Sequence, residues 1–377
     1  MNFCVEHGNR RGSIGQNFLL LDKSNLSVFM KILIFCVFVA ISTTQSFSQK
    51  PRILIYHDME GLSGEDDWRM FRYPHTEQYK IGRELLTADV NAVIGGLFEG
   101  GAGTVQVVDA HGSGNQWPDL LLDKLDKRAS MVSRDQPFRQ YVDIVEPNVY
   151  DAVVCVGMHA KTGSGGFASH TFTLGMDIIL NDQSVTETEL VAYSWGRVGV
   201  PVIFVSGDDR LLGDLKTMPW IEYVTVKKAT SASTVELRPW AEARRDLFEK
   251  AKKSIQNIPT ASAMKLKEPI KATLRVVPPA SVERMRNMPG IEYQENSVTF
   301  MAENFAKAYD GVIAMIDIAT TGYYSVTTEV IKSLPNGKAV QSQIDDARYT
   351  RWLDFESGRW KPEPAPIPAP RKYYGAR

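Results

Sequence analysis

Cysteine is scarce, with three in 377 residues. That is too few for a disulfide framework, so stability has to come from a hydrophobic core. A basic excess is missing as well. Lysine and arginine number 43 against 44 acidic residues, a formal charge of −1, whereas a dedicated nucleic-acid binder carries surplus positive charge. The main apolar run, ILIFCVFVAI at 32–41, has ten residues, and a membrane-spanning helix needs about 20. There is no internal repeat. G-x-S-x-G, a strand-borne G-x-G-x-x-G, H-E-x-x-H and C-x-x-C are all absent, so a serine hydrolase, a Rossmann dehydrogenase and a thermolysin-like protease lack their usual signatures.

What remains is a chain of ordinary globular composition, long enough for one elaborate domain or two smaller ones. Its first apolar run follows Met30-Lys31 and precedes the small, polar STTQSFSQ. That order of basic start, short apolar core and small residues is the layout of a secretory signal peptide at 30–48. Residues 1–29 then read as an over-extended leader, with Met30 as the start; an uncleaved anchor with a cytoplasmic head is the alternative. Export and cleavage would leave no stable membrane span. They would also leave Cys155 as the remaining cysteine, inside the apolar run DAVVCVG, where it reads as a buried strand residue.

Downstream, short apolar runs alternate with helical periodicity. RILIYH (52–57), TVQVVD (104–109), DAVVCVG (151–157), VPVIFVSG (200–207) and KATLRVV (271–277) read as strands. TFTLGMDIILN (171–181) leans towards β. Helical spacing runs over 77–100, 187–198, 239–257 and 304–321. This alternation predicts a layered α/β fold with a mixed, largely parallel sheet flanked by helices. Residues 49–326 read as the main α/β region, 327–360 as a C-terminal extension, and 361–377, with five prolines between 362 and 370, as an extended tail.

Polar residues gather where strands end. RILIYH runs into Asp58-Met59-Glu60-Gly61, TVQVVD into Ala110-His111-Gly112, and DAVVCVG into Met158-His159. In open α/β sheets, ligands bind beyond the carboxyl ends of the strands. Asp58, Glu60, His111 and His159 are thus delivered to one edge, and continued extension would point Asp58 and Glu60 the same way. Singly, each residue reads as a turn former, a cap or a core histidine. Together, carboxylates and imidazoles suit Zn²⁺ or a similar divalent ion. The loop KTGSGGFAS (161–169) lacks a P-loop lysine and reads as a mobile segment that places His170 near the metals. Glu187 opens a helix, where the helix dipole alone would favour an acid. His57 should face away from the site. Asp209 reads as a helix cap, or with Asp208 as a group that could hold a substrate amine.

D-M-E-G-L-S-G, V-D-A-H-G, V-G-M-H-A, G-F-A-S-H-T, N-D-Q-S-V-T-E and V-S-G-D-D-R occur in this order, and the chain from about Arg52 to Ser325 resembles the zinc-dependent D-aminopeptidase family. The resemblance implies two zinc ions per subunit held by Asp58, Glu60, His111, His159 and Glu187, with Asp58 bridging. It implies His170 as the catalytic histidine, with proton transfer, oxyanion stabilisation and nucleophilic attack all open roles. It further implies a homo-oligomeric ring, and short peptides beginning with a D-amino acid such as D-Ala as substrates. Four features depart from the family pattern: Tyr56 stands where a serine is usual, one residue is missing between His170 and Glu187, the region after Ser325 has no counterpart in the family, and the leader suggests an exported, periplasmic or secreted enzyme. A binuclear amidase acting on non-peptide substrates shares the same ligands, and an exported solute-binding protein is the rival of a different class.

Overall fold

The computed structural model describes residues 49–356, 359 and 372–375. The leader and signal peptide expected at 1–48 lie outside the described residues, as do residues 361–371 of the proline-rich tail. No helix among the described residues is long and apolar enough to cross a membrane.

The first half of the fold runs β1 (Arg52–His57), α1 (Thr76–Glu99), β2 (Thr104–Asp109), β3 (Ala129–Met131), β4 (Ala152–Met158), β5 (Met176–Leu180) and β6 (Gln183–Val185). It continues through α2 (Glu187–Gly196), β7 (Val202–Asp208), α3 (Asp209–Asp214), β8 (Glu222–Ser231), β9 (Thr234–Leu237) and α4 (Trp240–Ser254). The last part comprises β10 (Ile270–Val276), β11 (Glu292–Gln294), β12 (Ser297–Ala302), α5 (Phe305–Ala319), α6 (Tyr323–Ser333) and α7 (Gly337–Glu356).

The main sheet has the order β3-β2-β1-β4-β7-β8-β9. Every pairing in it is parallel except that of β9, which runs antiparallel to β8. This is the mixed, largely parallel sheet that the alternation predicts. Its central strands β4 and β7 are buried along their whole length, which is why they read as unbroken apolar runs and not as alternating ones. Helix α1 turns Leu86, Val90, Val93 and Leu97 onto one face, and α4 adds Leu247 and Ala251. The opposite face carries Leu54, Tyr56, Val153 and Cys155, which pack with Val191 and Trp195 of α2.

A second sheet, not anticipated as a separate unit, has the order β11-β12-β10-β5-β6 and is antiparallel throughout. The β-leaning stretch 171–181 contributes only Met176–Leu180 to it, and KATLRVV becomes its central strand. Ile178, Leu180 and Leu274 join the α2 core, so the small sheet closes over that face. Helices α6 and α7 follow α5, and Tyr373 pairs with Arg134 as an isolated antiparallel bridge.

Strand order reverses at β1, which has β2 on one side and β4 on the other. That makes the β1 end the topological switch point of the sheet, where a crevice opens. The chain leaving β1 is pressed against β4: Asp58 N–H donates to Val156 O at 2.9 Å and Gly61 N–H to Gly157 O at 2.8 Å. Both glycines are required by this approach. A Cβ on Gly61 would strike the Met158 carbonyl, and one on Gly157, whose φ is +74°, would strike the Asp58 carbonyl. Because backbone is on both sides, Gly157→Ala is expected to cost about 2–4 kcal/mol and to displace Asp58. Chemical denaturation together with bound-metal content would check both effects.

Candidate metal centre

Six side chains converge beyond the ends of β1, β2 and β4. The chain does not stay extended after His57; it turns through Met59–Gly61, and the turn, not strand alternation, brings Asp58 and Glu60 together. Asp58 Oδ1 and Glu60 Oε2 both accept from Met59 N–H, at 2.9 and 3.3 Å. His111 arrives from β2, with its Nε2 3.3 Å from Glu60 Oε1. His159 arrives from β4, with its Nε2 3.3 Å from Asp58 Oδ2 and 3.4 Å from Glu187 Oε1. Glu187 is the first residue of α2, whose start is set by a Thr186–Glu189 capping box. Its Oε1 also accepts from Phe172 N–H at 2.7 Å.

His170 sits on the loop after β4. Its N–H donates to Ala160 O at 3.0 Å, its Nδ1 is 2.6 Å from Ala168 O, and its ring stacks on His159 at 4.1 Å between centroids. With Nδ1 engaged by a carbonyl, Nε2 is the nitrogen left for chemistry. The loop is held in unusual backbone: Ala168 and Phe172, which flank His170, have φ of 49° and 66°, values that side chains bearing a Cβ rarely adopt.

Ligand atoms fall into trios lying within 4.8 Å of one another: Asp58, His159 and Glu187; Asp58, Glu60 and His111; and Glu60, His159 and His170. Asp58 is common to the first two. All six residues are buried, and Asp58 Oδ2 and His159 Nε2 have no hydrogen-bond partner among the described residues. Buried polar atoms without partners are costly, so atoms of this kind aimed at one another fit a cation that both would ligate. Hard carboxylates with borderline imidazoles suit a zinc-like divalent ion.

The electrostatics describe the same need for a cation. Burial and the neighbouring Glu60 push the Asp58 carboxyl above its ordinary range, against the pull of His159 and His111. Burial also opposes ionisation of Glu60, but His111, His159 and His170 outweigh it and hold that carboxyl well below its usual range. For His111 and His159 burial disfavours the charge, yet Glu60 and Asp119 raise the first, and Glu187 and Asp58 the second, far above an ordinary histidine. Burial and the adjacent His159 lower His170.

Several supporting residues escaped sequence reasoning. Asp119 Oδ2 lies 2.9 Å from His111 Nδ1, while its Oδ1 accepts from Ser113 Oγ at 2.6 Å and from the Tyr79 hydroxyl. Asp109 ties this group together, accepting from His111 N–H at 3.1 Å and Asp119 N–H at 2.9 Å. Asp109 was visible in V-D-A-H-G, but Asp119 lies in a loop with no periodicity to mark it. Lys227 is wholly buried in β8, with Nζ 2.7 Å from both the Glu60 carbonyl and Glu65 Oε2. Burial pushes the Glu65 carboxyl up to about 7, with Lys227 pulling the other way. Asp208 is not free for a substrate amine: its carboxylate caps α3 through Arg210 and Leu211 N–H and accepts from Phe167 N–H at 3.0 Å. Asp209 accepts from Ala229 N–H at 2.7 Å. His57 is buried behind the site, 3.8 Å from Asp109.

A carboxylate on the far nitrogen of a ligating imidazole fixes its tautomer and orientation, and losing it typically weakens metal binding 10–100-fold. Asp119→Ala is therefore expected to lower zinc affinity by about that factor, as measured by competition with a chromogenic chelator. An unchanged affinity would remove Asp119 from this role.

The profile of the D-aminopeptidase family, Peptidase_M55, matches residues 52–314. A D-aminopeptidase of Bacillus subtilis (strain 168) is 29% identical over 267 residues, covering 70% of this chain and 95% of the relative. The solved structure of a protein described as the Zn-dependent D-aminopeptidase DppA from Bacillus subtilis, a self-compartmentalizing protease, superposes with a TM-score of 0.65 at 27% identity, over 71% of this chain and 98% of the other. With the strand-end cluster lying inside the matched region, the chain belongs to the D-aminopeptidase family of metal-dependent hydrolases.

Proposed function

We propose that this chain is an exported D-aminopeptidase that uses two zinc ions per subunit to release an N-terminal D-amino acid, D-Ala in particular, from short peptides. The observation carrying the two-ion reading is that two ligand trios share one residue, Asp58. Asp58, His159 and Glu187 would hold one ion, and Asp58, Glu60 and His111 the other. Zinc bound in such a site polarises a carbonyl and makes water nucleophilic near neutral pH. The zinc dependence and D-specificity of the Bacillus subtilis relatives support the metal and the substrate. The relative's self-compartmentalizing assembly supports a homo-oligomeric ring, and the segment at 30–48 supports export.

The chain's own residues supply orientation and proton handling. His159 Nδ1, 2.9 Å from Ala160 O, leaves Nε2 to face Asp58 and Glu187. Asp119 does the same for His111. His170 offers Nε2 to the same space, and its depressed basicity keeps it neutral near pH 7, able to accept a proton from the attacking water and return it to the leaving amine. Phe71 packs edge-on against His111 and Phe167, and Phe172 against Tyr141; these rings would limit the water around the reacting bond.

The first experiment is zinc content per subunit alongside D-Ala release from D-Ala-D-Ala. About two zinc ions with chelator-sensitive release is expected; two ions without release would redirect the search to non-peptide amides. His170→Ala should retain zinc and lose turnover by at least about 100-fold; loss of zinc instead would make His170 a ligand, as the third trio allows. Metal-free His111 and His159 hold their protons above the ordinary histidine range, so zinc must displace protons. Uptake should strengthen as pH rises through and above neutrality and weaken as it falls. Calorimetry at pH 7 in buffers of different ionisation enthalpy should report proton release, and buffer-independent heats would contradict it.

A further inference from the structure

We propose that Arg72 binds the free C-terminal carboxylate of the substrate, so that the enzyme selects short peptides with an unblocked C-terminus; this rests on the peptidase reading above. The candidate centre opens into a cavity of about 480 Å³, within the roughly 300–1,000 Å³ of small-ligand sites. Glu60, His111 and His170 line its buried end, whereas Trp68 and Leu174, more than half exposed, and the exposed Arg72 line its mouth. Such a cavity takes a few residues of peptide with apolar side chains against its walls.

Arg72 is the one permanent cation among the lining residues. Neighbouring arginines are engaged: Arg69 pairs with Asp67 at 2.6 Å, and Arg83 donates to the carbonyls of Pro118, Asp119 and Leu120. The Arg72 guanidinium has no hydrogen bond or ion pair among the described residues. Its backbone, in contrast, is tied down. Arg72 N–H donates to Arg69 O at 3.3 Å, its carbonyl accepts from His75 N–H at 3.0 Å, and Tyr73 N–H donates to Ser113 O at 3.1 Å. This last bond joins the segment to the loop that carries His111. The lone carboxylate of the lining, Glu60, is buried against His111 and does not neutralise Arg72.

A free planar fork of donors at the rim of an otherwise apolar mouth recognises a carboxylate bidentately. In an aminopeptidase the scissile bond and amine lie at the metal end, so the far end of a short substrate extends towards the mouth. A di- or tripeptide presents its terminal carboxylate there; a long peptide or a C-terminal amide does not.

The test compares a D-Ala dipeptide with its C-terminal amide on the zinc-loaded enzyme. A charge-assisted contact of this kind predicts kcat/KM about 10- to 100-fold higher for the acid, chiefly through KM. Arg72→Met should bring the acid to the level of the amide, and Arg72→Lys should restore part of the preference. An equal kcat/KM for acid and amide in the wild type, or a preference that survives Arg72→Met, overturns the proposal. A preference that follows only an acidic side chain on the peptide also overturns it, because the anion recognised would then be a different one. If neither compound is hydrolysed, the peptidase reading fails separately. Calorimetric affinities then decide: tighter, Arg72-dependent binding of the acid sustains the site, and equal affinities reject it.

Discussion

The structure is organised around buried charge that needs a counter-ion. Asp58, Glu60, Glu187, Asp109 and Asp119 all sit out of water at one sheet edge, where an isolated carboxylate would be prohibitively costly. Histidines offset part of that charge, which is why His111 and His159 are driven to hold their protons. A divalent cation would offset it more completely, because it would lie within reach of several oxygens at once. The surroundings serve to hold those oxygens in place.

The hold is exerted mainly by backbone. The Asp58–Gly61 turn is bonded directly to Val156 and Gly157 of β4, so the candidate ligands after β1 and β4 share one rigid seam. From below, Lys227 fastens the Glu60 carbonyl and is matched by Glu65, with the Phe167 ring 4.2 Å from its ammonium. Breaking a buried pair of this sort typically costs about 3–5 kcal/mol, so the pair ties the stability of the main sheet to the position of Glu60. Glu187 makes a comparable link to the His170 loop, because its carboxylate also accepts from Phe172 N–H. Candidate metal site and loop are thereby joined through one side chain.

Much of this could be read from the sequence. The parallel strands were legible because full burial makes them unbroken apolar runs, and the helices because their apolar residues recur at helical spacing. Asp58, Glu60, His111 and His159 were legible because each directly follows a strand, and in an α/β sheet strand ends converge. The second sheet was not. Its strands Glu292–Gln294 and Ser297–Ala302 are short and half-exposed, and antiparallel partners such as β5 and β10 lie some ninety residues apart in sequence. Asp119 and Lys227 were hidden for a related reason: a loop aspartate and a strand lysine carry no periodic mark, and their importance comes from a partner that only folding brings near.

By itself the sequence determined the fold class, the catalytic family and which residue types meet at one edge, since these depend on periodicity and on motifs local to each strand end. Tertiary structure alone decided that a turn, and not an extended strand, aligns Asp58 with Glu60. It likewise committed Asp208 to capping a helix and left the Arg72 side chain without a partner among the described residues at the cavity mouth. Those outcomes depend on distances between segments far apart in the chain, and such distances exist only once the sheet has closed.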